Sequence, residues 1–246
     1  MNSLAKEASA KSSSNPVASS TQKGQDAAAI GKNSEFARSI HTLFARARPK
    51  KIVETGTYQG LGSTLTICQA LYDNQLSTDQ FFSIEVNPNF YAQAFENLKG
   101  HGFKPRLLRG LSVPRALLPT EADIRRETLE EVPDRSVFID HQPEKRVFYY
   151  QKETDFPNEL DDLLGFVIRA MNGAPDFVML DSAGHMGFVE FRYAISLIKR
   201  PCYFALDDVF HIKHCRSLAA IQADSRFKLL ELSREKFGFC IAHFNP

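Results

Sequence analysis

Lys51-Ile-Val-Glu-Thr-Gly-Thr-Tyr-Gln-Gly-Leu-Gly-Ser63 is the stretch whose reading decides the fold. A short apolar run, Ile52-Val53, leads through Glu54 into three glycines, Gly56, Gly60 and Gly62, and then into a helical period. Glycines between a strand and a helix allow tight backbone turns and let a ligand approach main-chain N–H groups. A dinucleotide-binding loop would place its first two glycines one residue apart, whereas here the gap is three. A phosphate-cradling P-loop is excluded, because no Lys-Ser or Lys-Thr follows the glycines. Taken alone, the loop also fits a helix-entry turn that holds no ligand.

Strands and helices alternate outward from this point. Upstream, Phe36, Ile40, Leu43 and Phe44 share one helical face and predict a helix over 34–47. Downstream, Leu65, Ile67, Leu71 and Tyr72 mark a helix over about 62–73, and Phe81 to Val86 reads as a second strand. Pro88, at a favoured first-turn position, opens a helix that runs to Lys99. Arg106–Arg109, Asp176–Asp181 and Cys202–Asp207 give three more strands, with helices expected over 161–172, 186–199 and 214–223. Such alternation predicts an α/β fold with a parallel sheet covered on both faces. The end breaks the pattern. Phe227–Ser233 and Phe239–Phe244 are separated by a connection too short for a parallel crossover, so they must form an antiparallel hairpin.

Residues 119–157 stand outside the alternation as an insertion between the third and fourth strands. Ser136–Asp140 and Arg146–Gln151 are expected to pair there as a small hairpin over the active face. A lid, a substrate wall and a contact for a homodimer are all open readings. The aromatic run Phe148, Tyr149 and Tyr150 fits the packed face of that hairpin better than a stacking platform for a substrate.

Residues 1–33 are rich in Ser, Ala, Lys, Gln and Asn and bury almost nothing, so they read as a disordered tail ahead of a domain over 34–246. Glu7 and the lack of Arg argue against a transit peptide, and no apolar signal or membrane span is present. Hydrophobic content of 43% and a net charge of +1 describe a globular domain with no global field for nucleic acid or an anionic membrane. Cys68, Cys202, Cys215 and Cys240 form no CxxC pair, which suits reduced thiols and a cytoplasmic setting.

The acid-x-Gly-x-x-x-Gly pattern, Glu54 to Gly60, resembles motif I of class I S-adenosylmethionine-dependent methyltransferases. Glu85 strengthens the resemblance by ending the second strand, where that family places an acid to hold both ribose hydroxyls; two acceptor oxygens suit a vicinal diol. The resemblance implies a Rossmann-like, doubly wound, mostly parallel seven-stranded sheet closed by the C-terminal hairpin. It assigns Glu54, Gly56, Thr57, Tyr58, Gly60, Ser63, Glu85, Gly110, Ser112 and Asp181 to S-adenosylmethionine, with Gly110 and Ser112 at the adenine.

Asp181, Asp207 and Asp208 end the fourth and fifth strands, and ligands in open α/β sheets bind beyond such ends. Converging buried carboxylates need a cation or a proton between them. The arrangement resembles the metal-dependent small-molecule and macrocin-type sugar O-methyltransferases, which implies that the three aspartates hold Mg²⁺ against an acceptor hydroxyl. Capping of the next helix by Asp207 or Asp208 is the plainer alternative. His185 is the first candidate for a general base, with Asp181 beside it, although the acid that often follows on the next helix is missing and Tyr193 stands near its place. His185 also fits a plain hydrogen bond to a strand-end carbonyl. His211, His214 and Lys213 lie within reach of the same region, and each is also a plausible solvated helix residue. Arg46, Arg48, Lys50 and Lys51 fall at the wrong end of the sheet and read as a helix terminus. The expected reaction is methyl transfer to a hydroxyl of a small molecule or sugar. The alternatives are a metal-independent N- or O-methyltransferase and a cofactor-binding or interaction protein without catalysis.

Overall fold

The computed structural model describes residues 34–101, 105–127 and 136–246. The expected tail over 1–33 lies outside them. Seven strands form one sheet: β1 Lys51–Thr55, β2 Gln80–Glu85, β3 Arg106–Arg109, β4 Phe177–Leu180, β5 Cys202–Asp207, β6 Phe227–Ser233 and β7 Phe239–Phe244. Their order is β3-β2-β1-β4-β5-β7-β6. The pairs from β3 through β5 are parallel, and β7 runs antiparallel to both β5 and β6. The short link between β6 and β7 forces their antiparallel pairing, and the last strand lies between β5 and β6.

The helices are α1 Glu35–Ala47, α2 Ser63–Asp73, α3 Pro88–Asn97, α4 Glu121–Arg126, α5 Pro143–Thr154, α6 Leu163–Ala170, α7 Gly187–Leu197 and α8 Cys215–Ala223. Strand residues alternate between two cores, as the twofold period of a strand requires. Phe177 and Met179 of β4 face a layer built with Phe36, Ile40 and Phe44 of α1 and Ile67 and Leu71 of α2. Val178 and Leu180 face the opposite layer, with Leu164 and Ile168 of α6, Phe191 of α7 and Leu218 of α8. At the start of α1 the Ser34 hydroxyl accepts from the Ala37 N–H at 3.1 Å, satisfying one of the helix's orphan donors. Three turns of that helix then put Phe36 edge-on to Phe239 and Phe44 edge-on to Phe177, with ring centroids 5.3 and 5.1 Å apart.

The expected hairpin in the insertion does not form. Arg146–Gln151 lies inside helix α5, which Pro143 opens, and α4 packs against it. Val147, Tyr150 and Thr154 recur at helical spacing and are buried, whereas Phe148 and Tyr149 are exposed beneath Lys152 and Lys145. The run of aromatics concealed this period, since both its buried and its exposed positions are bulky. Phe138 makes only an isolated bridge to His211.

β1 pairs with β2 on one side and β4 on the other, so the strand order reverses between β1 and β4. In an open parallel sheet the crevice for a ligand lies at such a reversal, beyond the carboxyl ends of the strands.

Candidate active site

Glu54, one residue before the end of β1, is completely buried, and its Oε2 accepts from Thr64 Oγ1 at 2.7 Å and Ser83 Oγ at 2.6 Å. Thr57 Oγ1 meets the same Ser83 hydroxyl at 2.5 Å, so the glycine loop is tied down to β2. Glu54 Oε1 has no partner among the described residues. Burial raises the Glu54 carboxyl from its ordinary 4.5 to about 7, against the pull of the hydroxyls around it. Gly56 has φ 82°, and a Cβ there would run into the Asp181 main chain, so this turn must be glycine to pass β4.

Glu85 ends β2 nearly buried. Its Oε2 accepts the Tyr58 N–H at 2.7 Å and its Oε1 the Asn87 N–H at 2.8 Å. Tyr58 sits at φ 51°, a conformation that side chains larger than glycine rarely adopt, and the Glu85 contact holds it there. The Tyr58 ring packs on Phe90 with centroids 4.3 Å apart. Loop and acid are thus joined at the switch point, as a cofactor cradle requires. The lone buried oxygen of Glu54 is the feature that fits a cationic ligand group, because a buried acceptor without a donor is costly. Gly110 follows β3 at the same edge, where its N–H bonds the Glu85 carbonyl at 3.1 Å. The Ser112 hydroxyl, on the segment after β3, donates to Glu190.

Glu190 supplies an acid on α7 that the sequence alone does not disclose. It lies on α7 one turn before Tyr193, completely buried, and accepts from Thr55 Oγ1 at 2.9 Å, Ser182 Oγ at 2.6 Å and Ser112 Oγ. Burial raises its pKa. A single charged residue on the buried face made by Gly187, Phe191 and Ala194 was the available signal. Tyr193 itself donates to Asp162 Oδ1 at 2.5 Å.

Asp181, Asp207 and Asp208 do converge, each offering an oxygen within 4.8 Å of the others. Lys213, however, puts its Nζ 2.7 Å from Asp181 Oδ1 and 2.7 Å from Asp208 Oδ2. Its side chain is only 7% exposed. Burial alone would lower the Lys213 pKa, but the surrounding Asp181, Asp208 and Asp207 hold it above its ordinary value, so the ammonium keeps its charge. Burial and the charge of Asp181 push Asp207 up to about 8. Burial works to raise Asp208 as well, yet Lys213 holds its carboxyl below the usual range.

These residues do not fit a bound divalent ion while Lys213 is in place. A metal about 2.1 Å from each of the two oxygens that Lys213 contacts would lie about 4 Å or less from the ammonium. Unit charges at ~4 Å repel by ~4 kcal/mol at an effective dielectric constant near 20, and a divalent ion doubles that.

His185 lies in the loop between β4 and α7. Its Nδ1 is 2.6 Å from Glu127 Oε2, and Arg216 donates to Glu127 Oε1 at 2.6 Å. Glu127 closes α4, where Arg146 of α5 donates to the carbonyls of Arg125, at 2.7 Å, and of Glu127. The insertion therefore positions the carboxylate that orients His185, a role the sequence did not disclose. His185 and Glu127 line a cavity of about 330 Å³, shared with Ile124, Phe188, Ile212 and Arg216. His211 stacks on Phe138 with centroids 5.4 Å apart, and burial depresses its pKa to about 4. His214 is completely buried, depressed to about 3 by that burial, and its Nδ1 meets Ser217 Oγ at 3.0 Å. Both rings stay neutral and serve packing, which leaves His185 as the histidine at the cavity wall.

No protein-family model matches the chain, and no curated protein matches its sequence. Solved structures do match. The O-methyltransferase TomG from Streptomyces achromogenes, involved in tomaymycin synthesis and solved in complex with SAM, aligns over 92% of this chain and 86% of its own with TM-score 0.53 and 16% identity. The O-methyltransferase from Bacillus cereus in complex with SAH aligns over 92% of this chain and 88% of its own with TM-score 0.52 and 14% identity. At such identities the likeness is one of fold, and the chain has the class I methyltransferase fold.

Proposed function

We propose that the protein transfers the methyl group of S-adenosylmethionine to a hydroxyl of a small molecule seated in the cavity beside His185. The observation that carries this reading is the pairing of His185 with Glu127 at the wall of that cavity, beyond the carboxyl end of the strand next to the Glu54–Glu85 cleft. The neighbours solved with SAM and SAH support the choice of cofactor.

S-adenosylmethionine supplies a methyl carbon made electrophilic by its sulfonium. Glu85 offers free lone pairs to the ribose hydroxyls while the Tyr58 and Asn87 N–H groups fix its orientation. Glu54 Oε1 takes a donor from the cofactor's ammonium end. Glu127, itself held by Arg216, favours the tautomer of His185 that donates from Nδ1, which leaves the far nitrogen as an acceptor. His185 would take the hydroxyl proton at that nitrogen as the acceptor oxygen gains the methyl group, and bound S-adenosylmethionine would supply that methyl and leave as S-adenosylhomocysteine. A cavity of about 330 Å³ suits a small acceptor rather than a polymer. A sugar fits this description as well as an aromatic alcohol.

The test is a screen for transfer of labelled methyl to hydroxylated small molecules and sugars, repeated with His185→Ala. Removing a general base lowers turnover by about 10²- to 10⁴-fold with little change in cofactor affinity. An acceptor that His185→Ala methylates at the wild-type rate would rule out this assignment. Transfer to amines alone would shift the reading to an N-methyltransferase.

A further inference from the structure

The three-aspartate cluster invites a metal, and the same cluster already contains a cation. Lys213 Nζ sits midway between two carboxylates at 2.7 Å from each, with its stem shielded from solvent. Several independent features keep it there. The Lys213 N–H donates to His211 Nδ1 at 3.2 Å, fixing the loop that carries it. Gly187, at the start of α7, leaves room for the Lys213 carbonyl and Cγ, which a Cβ at that position would strike. Asp208 adopts φ 58°, a left-handed conformation that Asp tolerates, and its carboxylate meets the ammonium from there. A surface lysine that happened to find an acid would need none of this.

We propose that Lys213 is the resident cation of this site, standing where a divalent ion would otherwise be held by Asp181, Asp207 and Asp208. The ammonium balances the carboxylates and fixes their arrangement, so the cluster takes up no Mg²⁺ or Mn²⁺ while Lys213 is in place. Resting on the methyl-transfer reading above, the substitution also narrows the acceptor. A divalent ion can take both oxygens of a vicinal diol into its coordination shell, whereas an ammonium offers only hydrogen bonds. An acceptor is then held by hydrogen bonds rather than by coordination, with its deprotonation left to His185.

The experiment is titration of the purified full-length chain with Mn²⁺, followed by electron paramagnetic resonance and by calorimetry, without cofactor or acceptor. The wild type is expected to show no binding up to about 1 mM. Lys213→Ala frees the three carboxylates and is expected to bind Mn²⁺ at least ten-fold more tightly than that limit, with the gain abolished by adding Asp208→Asn. Wild-type binding below 100 µM that Asp208→Asn removes would overturn the proposal. So would a folded Lys213→Ala protein that binds no better than wild type. If Lys213→Ala does not fold, Lys213→Gln removes the charge at nearly constant length, and the wild-type titration stands by itself. Because Mn²⁺ binding is read without turnover, this result is separate from success or failure of methyl transfer. Once an acceptor is found, its turnover is expected to be the same in EDTA as in Mg²⁺, and a ten-fold fall in EDTA would contradict the inference.

Discussion

Glu54 shows how a single residue joins stability to function. Its carboxyl is fully enclosed, one oxygen satisfied by Thr64 and Ser83 and the other left without a donor. In the folded protein it holds its proton up to about pH 7, whereas the unfolded chain releases it near 4.5. The folded state therefore binds more protons in that window, and stability falls as pH rises through it. Glu54→Gln removes this titration. The variant is expected to gain on the wild type by up to ~3 kcal/mol between pH 4.5 and 8, read by urea unfolding of the ligand-free proteins. A wild type that gains on the variant as pH rises would show that the sign is wrong. The same variant is expected to weaken cofactor binding, since a site residue set up for a ligand is often poorly satisfied without one.

At the scale of elements, α7 and α5 do the positioning. Glu190 of α7 gathers hydroxyls from β1, from the segment after β3 and from the loop after β4. Glu190→Ala would leave the buried Thr55 and the half-buried Ser112 and Ser182 without their acceptor, at a cost of about 1–3 kcal/mol for Thr55 and less for the two that water can reach. Thermal unfolding of Glu190→Ala should show that loss, with Glu190→Gln in between, and an unchanged midpoint for both would refute the role. The core strands and the helices around them were legible because their periods are clean: Phe36, Ile40 and Phe44 recur on one helical face, and β4 is apolar throughout. The α5 helix was not legible, since Val147 and Tyr150 face inward while their neighbours Phe148 and Tyr149, equally bulky, face water. Of the site, the strand-end acids could be read directly, because acids at the ends of parallel strands must meet at the sheet's edge. Glu127 could not, and Lys213 only as a residue within reach of the region, not as the partner of Asp181 and Asp208. Their contacts depend on where α4 and the loop before α8 come to rest, which no local spacing encodes.

For the whole molecule, the reversal of strand order between β1 and β4 opens the crevice, and a packed core lies on either face of the sheet behind it. Everything assigned to the cofactor lies on the β1–β2–β3 side of that crevice, apart from Asp181. His185, Glu127 and Lys213 follow β4 and β5 or come from the insertion. On the proposed function the two halves divide the work, one to hold a methyl donor and the other to prepare an acceptor. Binding of the donor is the claim on which the rest depends. The most direct measurement is calorimetric titration of the protein with S-adenosylhomocysteine, beside Glu85→Ala. Micromolar affinity in the wild type, lost by at least ten-fold in the variant, is the predicted result. No heat of binding in the wild type, or equal affinity in both proteins, would contradict the account.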